Sequence, residues 1–275
     1  MARARVRELA ELGLVDWAGL EHAYGDAADV PDLLRALDDD DESFGDLLGA
    51  LCHQGRRFSA SAAAVPYLAG LARRPSLVMP VLMSLGYLAI GDDDVHTFPR
   101  SFEAQGLGSG ADIAAYEAVQ AEVPSLVPLA GHADPVTAEA AIWLVSWFPA
   151  LVDATLPAVR AAAPSITRTL ALGLLGDDAI APGGWPEAVA AVCAGHADWA
   201  LDEVLACARR MREPELSGAP TPYLSGDVAY LLTAALRLAP DARRAEAVAA
   251  MGFLADRVKG SRAAVIRGVR AQVDV

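Results

Sequence analysis

The chain has 275 residues, a formal net charge of −14, and 54% hydrophobic residues with only 6% aromatics. The acidity argues against a protein that grips nucleic acid, because such proteins gain affinity by neutralising phosphates. Ala and Leu supply the apolar excess, a helix-forming composition, and the length suits an array of helical units or two small domains better than one compact core.

Lys259 is the only lysine and asparagine is absent, which reads as the codon usage of a GC-rich, bacterial genome. Cys52, Cys193 and Cys207 are odd in number and scattered, with no CxxC pair, so a reducing cytoplasm is expected and a disulfide framework is not. The opening stretch "MARARVRELAELGLVDW" has no apolar core of the signal-peptide kind. Residues 1–50 carry a net charge of −9 and residues 241–275 a net charge of +3. The acidic end either is a set of solvated helices or faces a basic protein partner.

In chain order, residues 1–58 read as an N-terminal helical cap. Its run "DDDDESFG" holds a DDxxE spacing through Asp38, Asp39 and Glu42. Helices of that kind hold magnesium in terpenoid synthases. The second metal-binding motif those enzymes need is missing, so an exposed acidic loop is expected and no metal. Next comes "LCHQGRRFSAS" (51–61). Gly55 allows a turn, Ser59 or Ser61 suits a helix N-cap, and His53 and Gln54 cap the preceding helix or bond across the turn. The sharper reading is a polar site in which Arg56 and Arg57 contact an anion. Cys52 and His53 lack the orienting partner and oxyanion site that a nucleophile pair requires.

Residues 59–260 read as a repeat array. The uncharged stretch 75–91 contains Pro80 and is flanked by charges, which predicts a buried helix and no membrane span. A long irregular insertion follows near 92–111. Asp92, Asp94 and His96 are donors close in sequence, but the expectation is a loop over one edge of the array. Its residues His96, Phe98, Arg100 and Phe102 are candidate partner contacts.

The pentapeptide AGHAD occurs at 130–134 and again at 194–198, starting 64 residues apart. In "LVPLAGHADPVTAEAAIWLVSWFP" an apolar helix ends near Ala130, and Gly131 supplies a left-handed cap. Asp134 caps a new helix whose first residue is Pro135, running from Val136 to Phe148. The same roles fall to Gly195 and Asp198. Pro66, Pro124, Pro157 and Pro186 each stand just after the start of an apolar run; with the insertion in the first gap allowed for, they give a period of roughly 30–38 residues, and the pentapeptide spacing of 64 makes two units of about 32. About five helical hairpins are therefore expected, at 59–91, 112–149, 151–177, 185–211 and 226–258, with a capping helix at 261–275 and essentially no β-sheet. Such hairpins bury their apolar faces only by stacking, so the predicted fold class is all-α, a right-handed α-solenoid. His132 and His196 would then lie two units apart, on the order of 20 Å, too far to share a metal. Trp143 and Trp147 are i,i+4 neighbours with Glu139 on the same stripe. They either pack between units or form an aromatic patch in the groove.

The pattern through Pro124, Leu126, Leu129, Asp134, Pro135, Val136, Ala140, Ala141 and Leu144 resembles HEAT repeats. The stretches 51–72 and 122–149 are similar to those of a set of bacterial HEAT-repeat proteins. Thr137 departs from the pattern, where Arg is frequent. The resemblance implies a binding scaffold and supplies no catalytic residue and no cofactor. The function expected is a non-catalytic protein-interaction scaffold, or a regulatory or immunity-type binding protein, that takes a protein partner with the solenoid groove and an acidic surface. The alternative is a small-molecule binder or enzyme with its site near Trp143, Trp147 and the 92–111 insertion.

Overall fold

The computed structural model describes residues 7–37, 43–91, 109–195, 198–218 and 227–274, and these are mostly helical. The chain divides into two compact units. Each of the five expected hairpin stretches holds two helices, which bears out the all-α class.

The first unit runs to Phe148. It opens with short 3-10 turns, then α1 (Val30–Ala36) and α2 (Ser43–Leu51). It continues with α3 (Ser59–Leu71), α4 (Val78–Ile90), α5 (Gly110–Leu126) and α6 (Pro135–Val145). Helix α3 packs on α5, and α4 packs on both α5 and α6. The uncharged stretch 75–91 becomes α4, with Val81, Leu82, Leu85 and Leu88 fully buried. Gly86 lets α4 press against α6, since a Cβ there would lie 1.9 Å from a ring carbon of Trp143.

Two small β-ladders correct the expectation of essentially no sheet. Strands β1 (Glu21–His22) and β2 (Gly25–Asp26) pair antiparallel, as do β3 (Cys52–His53) and β4 (Arg56–Arg57). In the second hairpin both turn residues have positive φ, Gln54 at 51° and Gly55 at 75°, the backbone that a two-residue hairpin turn demands.

The second unit contains α7 (Val152–Ala161), α8 (Ile166–Leu174), α9 (Trp185–Ala194), α10 (Asp198–Arg210), the short α11 (Glu213–Leu216), α12 (Val228–Leu236), α13 (Arg244–Arg257) and α14 (Ser261–Val273). Here α9 packs on α12 and α10 on α13. Gly173 brings the α8 backbone against α9, where a Cβ would stand 2.5 Å from Ala190 Cα. Arg160 fastens this part with a two-pronged contact to the buried Asp177 carboxylate.

The turns divide the two pentapeptides. Gly195 caps α9 at φ 91°, as expected. Gly131 instead closes a 3-10 turn that tightens the end of α5, and it is not among the positive-φ glycines. Asp134 does cap α6, accepting from the Thr137 N–H at 2.9 Å and the Thr137 hydroxyl at 2.7 Å. The helix stops at Val145, three residues short of the expected end. The aligned prolines also separate. Pro66, Pro124 and Pro157 lie inside α3, α5 and α7, whereas Pro186 sits in the first turn of α9. Proline is favourable in a first turn and costs about 3 kcal/mol in a helix interior, so packing along these helices must offset the loss.

Candidate functional site

The two β-hairpins lie side by side in the first unit, and their contacts are local consequences of short polar stretches. The Ala23 N–H donates to Ala50 O at 2.9 Å, joining the first turn to the end of α2. The Glu21 N–H donates to Ser59 Oγ at 2.8 Å, joining β1 to the start of α3. The registers match, so that His22 and His53 take the same place in the two ladders.

His22 is buried, and its ring is held at both nitrogens. Nδ1 accepts the Tyr24 N–H at 2.9 Å, which places the ring proton on Nε2, 2.9 Å from Asp29 Oδ1. Tyr24 is 70% exposed. Its ring meets His22 edge-on at 5.9 Å and His53 edge-on at 5.7 Å between centroids. His53, Gln54 and Arg56 are exposed, as are Glu21, Asp26 and Asp29. An amphipathic ring thus stands out from a surface of carboxylates with one nearby guanidinium. Nothing in the sequence analysis singled out Tyr24. The available signal was the sequence "EHAYGD", whose His22 takes the place of His53, although Gly25 stands in the strand where the second hairpin has Arg56.

Arg57 is buried, which corrects its expected role as an anion contact. It is 4% exposed; Nε lies 3.1 Å from Asp112 Oδ1 and Nη1 donates to Gly55 O at 2.6 Å. The Arg57 N–H also donates to Asp112 Oδ1, at 3.0 Å. Burial opposes ionisation of Asp112, but hydrogen bonds from Ser109 and Arg57, together with the Arg57 charge, outweigh it and hold the carboxyl below its ordinary value.

Phe58, not a serine, is the N-cap of α3; Ser61 Oγ accepts the Phe58 N–H at 2.8 Å and donates to Leu51 O at 2.6 Å. Cys52 and His53 are consecutive strand residues whose side chains leave opposite faces of a ladder. Trp143 and Trp147 are 3% and 1% exposed, so neither indole forms an aromatic patch open to a ligand. The Tyr116 hydroxyl donates to Trp147 O at 2.9 Å, which fixes that turn inside the core. Glu139 is half-buried beside them. His96, Phe98, Arg100 and Phe102 lie outside the described residues, as do Asp92, Asp94, Asp38, Asp39, Glu42 and His196. The expected insertion is shorter at its end, because 110 and 111 belong to α5.

Among the described residues no group of three or more His, Cys, Asp or Glu could hold a metal ion. The buried Cys207 thiol is pushed up to about 11, by burial first and then by the Glu203 carboxylate, the opposite of an activated nucleophile. No single described helix is long and apolar enough to cross a membrane. Comparison with protein-family models, curated proteins and solved structures finds no match.

Proposed function

We propose that the protein is a non-catalytic binding protein whose helical pairs carry the twin-hairpin surface, and that this surface takes a basic protein partner. The observation that carries the reading is Tyr24, 70% exposed yet braced between two imidazoles, on a hairpin bearing Glu21 and Asp26 with Asp29 just beyond it at the start of α1. Exposed aromatic side chains of this kind are frequent anchors of interfaces. Acidic neighbours steer a basic partner and make association salt-dependent. The repeat-scaffold reading, a HEAT-like α-solenoid, is supported by first-on-first and second-on-second packing between the hairpins 59–91 and 112–149 and between 185–211 and 226–258, whereas α8 of the hairpin 151–177 packs on α9, a second helix on a first. A cytoplasmic setting fits the odd, scattered cysteines.

The test is affinity capture from the native host's lysate with wild type, Tyr24→Ala and Asp26→Lys side by side. A stoichiometric partner should bind wild type, elute as salt is raised, and be weakened at least tenfold by either substitution. Equal capture by all three chains would place the interface elsewhere. Failure to capture any salt-sensitive partner would remove the basic-partner reading.

A further inference from the structure

A cleft of about 300 Å³ opens in the first unit between the end of α3, the start of α4 and the end of α5. Its walls are apolar, formed by Ala69, Ala72, Pro75, Val78, Leu126 and Leu129. Arg73 and His132 line the same cleft, and no carboxylate does so among the described residues. The remaining polar group, Ser125, turns its hydroxyl to Glu122 O at 2.8 Å.

The two basic side chains are poised as donors. The Asp134 N–H donates to His132 Nδ1 at 3.1 Å, which puts the ring proton on Nε2 and leaves that N–H for an acceptor. Arg73 Nη1 meets the Glu8 carboxylate at 3.4 Å, with both side chains about two-thirds exposed. A pair so long and solvated contributes little, and it is readily exchanged for another carboxylate. An apolar cleft with a donor-only rim is unusual on a chain of net charge −14. Its volume is at the small end of ligand sites.

We propose that this cleft binds a short aliphatic carboxylate, with its tail against the alanine, proline and leucine walls and its head between Arg73 and His132. Glu8 occupies part of the head-group position from outside and acts as a competitor. This site is separate from the twin hairpins, so it stands or falls independently of the partner reading.

Octanoate and octanamide serve as probes, titrated calorimetrically into the full chain. Backbone amide shifts locate the site. Octanoate should bind saturably and shift residues 72–73 and 129–132, while octanamide binds at least tenfold more weakly. Arg73→Gln should weaken octanoate at least tenfold, and His132→Ala several-fold. Glu8→Gln should tighten it about threefold, an effect that a misfolded variant cannot mimic. Equal binding of octanoate and octanamide would overturn carboxylate recognition. Absence of saturable binding, or binding insensitive to Arg73→Gln and Glu8→Gln alike, would overturn the site. An acetylated dipeptide ending in leucine that binds tenfold tighter than octanoate would assign the cleft to a peptide terminus instead.

Discussion

Arg57 fills the space that a side chain at Gly91 would need. A Cβ on Gly91 would stand 2.1 Å from Arg57 Nη1 and 2.8 Å from Gly55 O, and Gly91 itself ends α4 at φ 66°, ψ −145°. The hairpin and the end of the helix are thus fitted to one another through the absence of one methyl group.

Gly91→Ala should therefore lose stability twice over, through a backbone region that is almost glycine-only and through collision with a buried guanidinium. A loss of about 3 kcal/mol or more is expected in chemical denaturation. Wild-type stability in that variant would mean that the hairpin can move away from α4 freely.

Removing one partner of the Arg57–Asp112 pair leaves the other charge buried, so Asp112→Asn should cost about 3–5 kcal/mol at neutral pH. The folded carboxyl of Asp112 lies below its ordinary value. Its contribution is present above the unfolded value near about pH 4 and fades as pH falls through the lower folded value. Acid titration of stability should consequently be shallower in Asp112→Asn than in wild type.

Glu122 should behave with the opposite sign. It is 2% exposed, Oε2 has no hydrogen-bond partner among the described residues, and burial raises its carboxyl above the ordinary value. Such a group weakens the fold once pH rises above the unfolded carboxylate value. Glu122→Met should raise stability at pH 7 by about 1–3 kcal/mol, with the gain shrinking toward pH 4. Paired denaturation curves at the two pH values decide this, and a destabilised variant at pH 7 would refute it.

Gly86 and Trp143 should show strong coupling, because a methyl group at 86 would occupy the same space as the indole. Gly86→Ala should cost several kcal/mol in wild type but far less in a Trp143→Leu background. Additive losses in the double-mutant cycle would mean that α4 and α6 relax apart.

The parts of this fold that were legible in the sequence are those set by near neighbours. Gly195 needs its left-handed cap and Asp134 its Thr137 N–H within a few residues. The apolar run 75–91 declares a buried helix on its own. The hairpins were not legible, because ladders of two residues per strand are too short to show alternation. Nor was the burial of Arg57, whose carboxylate partner lies 55 residues away along the chain. Aligning on proline found the first helices of several pairs but missed that Pro186 occupies a first turn while the others lie within helices. Trp143 illustrates a different limit. Its position was visible, but only the glycine on the facing helix decides that the indole points inward.

The same arginine touches both places where the chain leaves and re-enters the described framework around residues 92–108. It abuts Gly91 on one side, and on the other it holds Asp112, whose carboxylate accepts from Ser109. Gly91 and Ser109 are thus clasped through one buried cation, so the β3–β4 hairpin, the end of α4 and the start of α5 must open together and not one by one.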